Sequence, residues 1–305
     1  MHVAIAIVGF RNVTDITACL GALAASTHQD FEVVICENGG RDACIALDEA
    51  LPPKLAGGQQ VRIVSALENL GFAGGVNLCL RASPDADAWW VLNPDTLPAP
   101  TALAGKVRVL EGGCDAVGCT LLRPDGSVQS RGGRWRRLIA RGESLGIGEN
   151  MTTPVNPKEI EAAQDYLNGA AMLVGRRFVE ANGLMREDYF LYCEEVEWFL
   201  RARAQGMKLG FAPEAFVVHA QGATTGAGRG LRDAARLPTF LESRNRLLLT
   251  RDCFPGWLPI VVVCTWVWVA LCYARARAWT PLNQALAGLH AGIRNERGPP
   301  SWLSV

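Results

Sequence analysis

Residues 89–95 read Trp-Trp-Val-Leu-Asn-Pro-Asp, an apolar run that ends in polar side chains around a proline. An apolar run bounded by turn residues is typical of a buried strand. In open α/β sheets, ligands bind beyond the carboxyl ends of strands, so Asp95 stands where a cation or polar ligand would be held. Taken alone, Asn-Pro-Asp also fits an ordinary turn after a strand.

Three earlier apolar runs resemble this one in length and character. They cover residues 3–8, 31–36 and 61–64. The runs recur at intervals of about 30 residues, the length that a strand-helix-strand crossover needs. The segment between the first two has the apolar spacing of an amphipathic helix. The sequence therefore predicts an α/β fold with a parallel sheet.

Beyond residue 100 the spacing of apolar residues changes. Residues 116–122 and 128–130 flank Pro124-Asp125-Gly126, which predicts a hairpin. Residues 131–160 are rich in Gly and Arg without a sustained period, which favours a functional or mobile flap. Later patterns predict a strand, a helix and two short strands, at residues 171–174, 194–205, 208–211 and 216–219.

Composition excludes several classes of protein. The chain has 305 residues, 49% of them hydrophobic, with 30 basic and 30 acidic side chains. This balance argues against a nucleic-acid partner. The ten cysteines show no repeated Cys-x-x-Cys and no histidine cluster, which argues against structural zinc. Residues 1–10 resemble a strand and not a signal peptide, so we expect a cytoplasmic, reduced protein.

Residues 257–274 form an uncharged stretch of eighteen residues. This length just reaches what a bilayer span requires. Its tryptophans, with Arg251, Arg275 and Arg277 at its flanks, suit an interfacial helix at least as well as a span, and a buried core helix is the third alternative. We expect residues 251–305 to form a helical segment that associates with a membrane surface.

Residues 68–77, Glu-Asn-Leu-Gly-Phe-Ala-Gly-Gly-Val-Asn, follow the third apolar run directly. Glycines allow a ligand to approach the backbone closely, and the amides of Asn69 and Asn77 can bind hydroxyls or phosphate. The glycine spacing differs from the dinucleotide fingerprint, which argues against a nicotinamide-dependent enzyme. A glycine-permitted turn before a helix explains the segment equally well.

Glu194, Glu195 and Glu197 lie in the first turn of a predicted helix. The helix macrodipole stabilises carboxylates there, so electrostatic helix initiation is a sufficient explanation. Close carboxylates beside aromatic rings are also how a general base acquires a raised pKa. The residues alone leave both interpretations open.

Seven stretches together resemble family 2 glycosyltransferases of the bacterial rhamnosyltransferase-like branch, and the resemblance runs from Val3 to about Arg246. They read VGFRN, ENGGRD, ENLGFAGGVN, WWVLNPDTLPAP, NGAAMLV, YFLYCEEVEWFLRARAQG and VVHAQGATT. The resemblance implies a GT-A fold with a mostly parallel central sheet. It divides the catalytic domain, residues 1–250, into a nucleotide-sugar half over about 1–110 and an acceptor half over 111–250. Residues 251–305 are the apolar helical appendage.

The resemblance also assigns roles to individual residues. Glu195 matches the catalytic base, beside Glu194, while Asp95 and His219 match positions that hold Mg²⁺ or Mn²⁺ on the diphosphate of the donor. Asn93 replaces the first carboxylate of that metal motif, and Trp135 could stack on a sugar, although a solvated basic loop explains it as well. The residues expected near the nucleotide are Phe10, Asn12, Glu37, Asn38, Asn69, Gly71 and Asn77.

The implied reaction is an inverting, metal-dependent transfer of a sugar from a nucleotide diphosphate donor. The hydroxyl acceptor is a glycan or lipid-linked glycan used in cell-surface polysaccharide synthesis. Thymidine diphosphate rhamnose is the donor associated with this branch, and the expected location is the inner face of the cell membrane. Because Glu37 and Glu195 replace aspartates, a membrane-docked sugar-binding or scaffold protein with a decayed site is the alternative.

Overall fold

A computed structural model of the chain describes residues 1–220 and 230–303. Within these ranges, the strands are β1 (Val3–Gly9), β2 (Phe31–Glu37), β3 (Val61–Ser65), β4 (Ala88–Leu92), β5 (Thr96–Pro98), β6 (Ala116–Leu122), β7 (Val128–Ser130), β8 (Gly133–Arg136), β9 (Arg141–Ser144), β10 (Ala171–Gly175) and β11 (Leu209–His219). The α-helices are α1 (Val13–Leu23), α2 (Arg41–Ala50), α3 (Gly71–Ala82), α4 (Ala102–Glu111), α5 (Pro157–Ala163), α6 (Arg176–Asn182), α7 (Glu194–Ala204), α8 (Arg236–Cys253), α9 (Leu258–Arg275) and α10 (Trp279–Ile293).

A nine-stranded sheet organises the catalytic part, in the order β3-β2-β1-β4-β10-β6-β11-β5 with β7 beside β6. Strands β1 to β4 pair in parallel, which confirms the sequence prediction for this half. The other half is mixed: β10 runs antiparallel to both β4 and β6, whereas β11 runs parallel to β6. The sheet as a whole is therefore mixed.

This topology brings several strand ends to one edge of the sheet. The parallel strands β1, β2 and β4 end there at Gly9, Glu37 and Leu92. Strand β10 begins there, since Ala171 pairs with Leu92. His219, the last residue of β11, arrives opposite Thr96 of β5. Loops from both halves of the sheet therefore meet at this edge.

Side chains of the sheet alternate between two buried cores. On one face, Ile5 and Ile7 pack with residues of α1 and α4. On the other face, Ala4 and Ala6 belong to a cluster that includes residues of α3, α7, α8 and α10. This alternation is the period-two pattern of a strand covered on both sides.

One expectation for the second half of the sheet needs correction. Residues 131–160, where the sequence shows no sustained period, contain the hairpin of β8 and β9, and α5 begins at Pro157. The two short strands expected at 208–211 and 216–219 are one strand, β11. Its register shifts between Ala212 and Phe216, around Pro213, which has no backbone N–H to donate. The hairpin of β6 and β7 is confirmed.

The C-terminal segment packs against the catalytic part. Helix α10 contacts α8 extensively, and α9 lies against α10. At the end of the chain, Arg297 forms ion pairs with Asp188 and Asp252 at 3.0 and 2.8 Å. Residues 251–305 are therefore joined by ion pairs to the loop that precedes α7.

Candidate active site

Asp95 and His219 lie side by side at the edge of the sheet. Nε2 of His219 is 3.3 Å from Oδ1 of Asp95, and both side chains are about nine-tenths buried. Pairing of β11 with β5 sets this contact, because His219 is the register partner of Thr96. Nδ2 of Asn93 lies 3.4 Å from the same histidine nitrogen. The structure thus brings together all three residues that the sequence placed near the metal.

The partners of His219 suit a cation. Its Nδ1 lies 3.0 Å from Oε1 of Gln129, an acceptor, so the ring proton belongs on Nδ1 and Nε2 presents a lone pair. That lone pair faces the Asp95 carboxylate at 3.3 Å, so an imidazole nitrogen and a carboxylate oxygen, both ligands of divalent cations, lie side by side. Across residues 1–220 and 230–303, no group of three metal-ligating side chains occurs. A cation held here would therefore complete its shell with water and phosphate oxygens.

A second polar pocket lies at the ends of β1 and β2. Glu37 is fully buried, and its Oε1 accepts hydrogen bonds from the backbone N–H groups of Arg11 and Gly39, at 3.0 and 2.7 Å. Its Oε2 and the Nδ2 of Asn12 are both buried without a partner within the described part of the chain. One acceptor and one donor are therefore left for a ligand. Phe10, at the entrance, is exposed.

Other residues expected at the nucleotide instead fix the protein backbone. Both donors of the buried Asn77 amide are used, by the Met185 carbonyl at 2.9 Å and Oε1 of Glu187 at 2.8 Å. Its carbonyl oxygen accepts from the Met185 N–H. Asn77 therefore has no hydrogen-bond donor left for a substrate. The buried Asn38 similarly donates to the Gly71 carbonyl.

Gly71 joins the start of α3 to the loop before α7. Its φ of 70° is left-handed, and a Cβ at this position would overlap the carbonyl of Phe190. The N–H of Phe72 donates to that carbonyl at 2.9 Å. Asn69 supports the turn by accepting from the Gly71 N–H. Asn69 and Gly71 therefore bring α3 against the loop that carries the glutamates.

The buried Glu194 and the half-buried Glu195 begin α7. Glu194 is 2% exposed, and its Oε2 has no partner among the described residues. Burial raises the pKa of Glu194, and the neighbouring Glu195 charge raises it further. Burial also raises the pKa of Glu195, which backbone hydrogen bonds partly offset. A carboxylate with a raised pKa is a better proton acceptor.

Strained backbone precedes these glutamates. Phe190, Tyr192 and Cys193 have φ values of 68°, 72° and 71°, which non-glycine residues rarely adopt. The buried Asn245 of α8 donates to the carbonyls of Tyr189, Leu191 and Tyr192. Sequence reasoning missed Asn245. Its signal is a polar side chain inside an otherwise apolar helical stripe.

A short chain of contacts connects Asp95 with Glu195. The N–H of Asn93, two residues before Asp95, donates to the Ala170 carbonyl at 2.9 Å. The neighbouring Gly169 lies against Glu195, whose Cγ is 3.5 Å from the ideal Cβ position of that glycine. The two carboxylates therefore flank the same segment at the same edge of the sheet.

Trp135 is 7% exposed, so its ring face is not open for stacking on a sugar. The backbone N–H of Trp135 donates to Asp165, and its indole Nε1 is buried without a partner within the described residues. Tyr166, which the sequence analysis did not select, contacts Gly133 and Gly142 of the hairpin. The Glu195 charge also acts on Tyr166, whose pKa is raised chiefly by burial.

Comparison with known proteins agrees with this architecture. One curated relative, the N-acetylglucosaminyl-diphospho-decaprenol L-rhamnosyltransferase of Mycobacterium tuberculosis, is 25% identical over 258 residues, covering 78% of this chain and 80% of the relative. Another, the low-salt glycan biosynthesis hexosyltransferase Agl10 of Haloferax volcanii, is 23% identical over 77% of this chain and 76% of its own.

Solved structures share the fold. The mannosyltransferase PcManGT of Pyrobaculum calidifontis, in complex with GDP-Man and Mn²⁺, superposes with a TM-score of 0.57 at 14% identity, over 97% of this chain and 88% of its own. TarS of S. aureus in complex with UDP-GlcNAc superposes with a TM-score of 0.56 at 10% identity, over 97% of this chain and 93% of the TarS chain. The fold is GT-A.

The family match covers most of the chain. A family model described as "Glycosyltransferase like family 2" matches residues 2–232. This span contains the Asp95–His219 pair, the Glu37 pocket and the two glutamates of α7. The enzyme class agrees with the curated relatives, which are hexosyl- and rhamnosyltransferases. The chain therefore belongs to the family 2-like glycosyltransferases.

Proposed function

We propose that this enzyme transfers a sugar from a nucleoside diphosphate donor to a hydroxyl of a lipid-linked glycan, with inversion at the anomeric carbon. The observation that carries the proposal is that Asn93, two residues before Asp95, and Glu195 contact the adjacent residues Ala170 and Gly169. A cation site and a buried base on one edge are what transfer between a diphosphate and an alcohol requires.

The buried pocket of Glu37 and Asn12 supports a pyrimidine nucleotide. Oε2 of Glu37 offers an acceptor and Nδ2 of Asn12 offers a donor. The imide edge of uracil or thymine presents the complementary N–H and carbonyl groups. A thymidine or uridine diphosphate sugar satisfies this pair, and thymidine diphosphate rhamnose agrees with the rhamnosyltransferase named among the relatives.

Each residue then has a step in the reaction. Asp95 and His219 would hold Mg²⁺ or Mn²⁺, which when bound neutralises charge on the departing diphosphate. Glu195 accepts the proton of the acceptor hydroxyl while that oxygen bonds the anomeric carbon and the diphosphate leaves. A single displacement of this kind inverts the configuration. Burial raises the pKa of Glu195 and so raises its proton affinity.

A panel of nucleotide sugars, assayed with and without Mn²⁺, tests the proposed function. We expect hydrolysis or transfer with at least one pyrimidine nucleotide sugar, and we expect EDTA to abolish it. Binding of sugars without any cleavage, at every donor, would favour a scaffold protein with a decayed site.

Helix α9 supports docking on a membrane surface. Of the described helices, one is long and apolar enough to cross a bilayer, Pro255–Arg275, and most of it is not buried in the protein. Val261, Thr265 and Val269 pack inward. The opposite face exposes large apolar side chains, namely Trp257, Ile260, Val263, Val267 and Leu271.

The charges beside α9 favour an interfacial position over a span. Arg275 and Arg277, both exposed, lie at its C-terminal end, where they can meet anionic lipid. The guanidinium groups of Arg141 and Arg246 contact Trp268, midway along the helix. Across a bilayer these two groups would sit in hydrocarbon, which is costly. We therefore place the apolar face in the headgroup region of the cytoplasmic leaflet.

Replacing Val263 and Val267 together by Glu should weaken vesicle binding at least tenfold. These side chains are 63% and 54% exposed, so the protein itself loses few contacts. Withdrawing each valine from lipid costs about 1.5 kcal/mol. Cosedimentation with phosphatidylglycerol vesicles measures the effect, with Ile45→Glu on α2 as the matched control. Equal binding by all three proteins would exclude α9 as the docking face.

A further inference from the structure

Two arginines from distant parts of the chain meet over one tryptophan of α9. Cζ of Arg141, on β9, lies 5.2 Å from the ring centroid of Trp268, and Cζ of Arg246, on α8, lies 5.6 Å from it. Neither guanidinium has a carboxylate oxygen within 4.0 Å among residues 1–220 and 230–303. The carboxyl group of Glu242, one turn before Arg246 on α8, interacts electrostatically with both guanidinium groups at longer range. Two unpaired like charges in one place suit an anion.

Arg246 has an unfilled hydrogen-bonding position. Its Nε donates to the Glu242 carbonyl at 3.1 Å, whereas its Nη1 is buried with no partner in the described part of the chain. A buried donor without an acceptor is costly, and the cost is larger for a charged group. A bound phosphate oxygen would supply the missing acceptor.

The arginine pair adjoins the proposed base by two independent paths. The charges of Glu195 and Arg246 both act on the thiol of Cys193, the half-buried residue that directly precedes the two glutamates. On the other side, Tyr166 feels the Glu195 charge and touches Gly142, the residue after Arg141. The pair therefore lies beside the part of the site that the acceptor hydroxyl must enter.

The same pair borders the exposed apolar face of α9. Trp268 follows the exposed Val267 and precedes Leu271 by one turn. The segment Arg137–Ile139, between β8 and β9, packs on α9 close by. An anionic group held by the arginines would thus have the base on one side and an apolar, lipid-facing surface on the other.

We propose that Arg141 and Arg246 bind the phosphate or diphosphate that joins the glycan of the acceptor to its apolar chain. This inference rests on the proposed function and names the acceptor class: a phosphate ester between a sugar and a lipid. A phosphate between the sugar and the chain would place the sugar hydroxyl toward Glu195 and the apolar chain along α9. A bilayer headgroup carries similar chemistry and must be distinguished by experiment.

Calorimetric titration of the full chain in a neutral detergent tests the inference. The probes are farnesyl diphosphate, farnesol and phosphatidylglycerol, in EDTA so that no metal mediates binding at Asp95. We expect farnesyl diphosphate to bind at least tenfold more tightly than farnesol. Arg141→Gln should weaken that binding at least tenfold, as expected for loss of a charge-assisted contact. Arg141 is exposed, so this variant should fold normally.

Arg108→Gln is the matched control, because Arg108 is exposed on α4 and pairs with Glu214. The affinity of Arg108→Gln for farnesyl diphosphate should stay within twofold of that of the unsubstituted protein. Equal binding of farnesol and farnesyl diphosphate, or unchanged binding by Arg141→Gln, would overturn the inference. Binding of phosphatidylglycerol as tightly as farnesyl diphosphate would also overturn the inference, since the arginines would then be a site for lipid headgroups.

Failure here can be separated from failure of the proposed function. Donor hydrolysis by the unsubstituted enzyme with Mn²⁺ depends on Asp95 and the nucleotide pocket and requires no acceptor. If donor hydrolysis is present and Arg141→Gln binds farnesyl diphosphate normally, only the acceptor inference fails. If no nucleotide sugar is bound or hydrolysed, the proposed function fails, and with it the acceptor role of the arginines.

Discussion

Glu195→Gln should lower turnover by about 10²–10⁴-fold while donor affinity stays near that of the unsubstituted enzyme. Glutamine keeps the size of the side chain but cannot accept the hydroxyl proton. The loss corresponds to about 3–5 kcal/mol of transition-state stabilisation. Steady-state kinetics with the true acceptor, together with calorimetric binding of the donor, measures both quantities. Full turnover by this variant would remove Glu195 from the role of base.

The pH profile gives this prediction a second readout. Because burial raises the pKa of Glu195, the base becomes protonated above the ordinary glutamate range of about pH 4.3. Turnover of the unsubstituted enzyme should therefore fall as the pH is lowered through the raised pKa of Glu195. The residual activity of Glu195→Gln should not show this decrease at acid pH. Glu49→Gln, on the exposed α2, is the matched control.

Unfolding measurements separate loss of chemistry from loss of fold. A carboxyl group whose pKa is raised by folding stabilises the protein at low pH, and this stability is lost as pH rises through the raised value. Glu195→Gln removes a charge from beside the buried Glu194. Its free energy of unfolding at neutral pH should therefore equal or exceed that of the unsubstituted protein.

Asp95→Asn should lower turnover with Mn²⁺ at least 100-fold and remove most of the stimulation by added metal. Asparagine retains the shape of the side chain but loses the charge that would hold the cation with His219. Donor binding should weaken as well, unlike in Glu195→Gln. Titration of Mn²⁺ in activity and donor-binding assays measures the effect.

Asp48→Asn, an exposed position on α2, provides the control for Asp95→Asn and should leave the metal dependence intact. If Asp95→Asn keeps the same Mn²⁺ requirement as the unsubstituted enzyme, the cation lies elsewhere. The two active-site variants should therefore differ. Glu195→Gln should lower turnover alone, whereas Asp95→Asn should also weaken donor binding and the response to Mn²⁺.

Local patterns predicted the first half of the sheet, β1 to β4, well. Its strands are apolar runs that recur at intervals of about 30 residues, and crossovers of that length join parallel strands. The acceptor half resisted prediction, because Pro213 interrupts β11 in sequence while the ladder continues past it with a shifted register. The spacing of hydrophobic residues does not reveal such a shift in the pairing of two strands.

Side-chain roles were harder to predict than strands. Asn12 and Asn77 are equally plausible ligand-binding residues in the sequence. Among the described residues, however, the side-chain amide of Asn12 has no partner for its N–H donors, whereas Asn77 donates to both Met185 and Glu187. The sequence shows what an amide can bind, and the tertiary fold decides which partner reaches it. Segments more than 100 residues away supply the partners of Asn77.

The segment 251–305 shows the same limit. Composition marked it as a membrane-associating appendage, and the exposed face of α9 agrees with that expectation. Arg297 nevertheless pairs with Asp188 and Asp252, and Arg244 of α8 donates to the carbonyls of Gly298 and Tyr189. These contacts hold the loop before α7 and were invisible to composition, because they join residues about 50 positions apart or more.

The central claim is that a cation beside Asp95 and the carboxylate of Glu195 face one cavity. A crystal structure of the full chain with MnCl₂ and thymidine or uridine diphosphate, with data collected for anomalous scattering, tests it most directly. We predict a manganese peak bonded to Asp95 and the diphosphate, with Glu195 lining the cavity on the side away from the nucleotide. A manganese peak bound elsewhere, or protein filling the space between the metal and Glu195, would contradict the account.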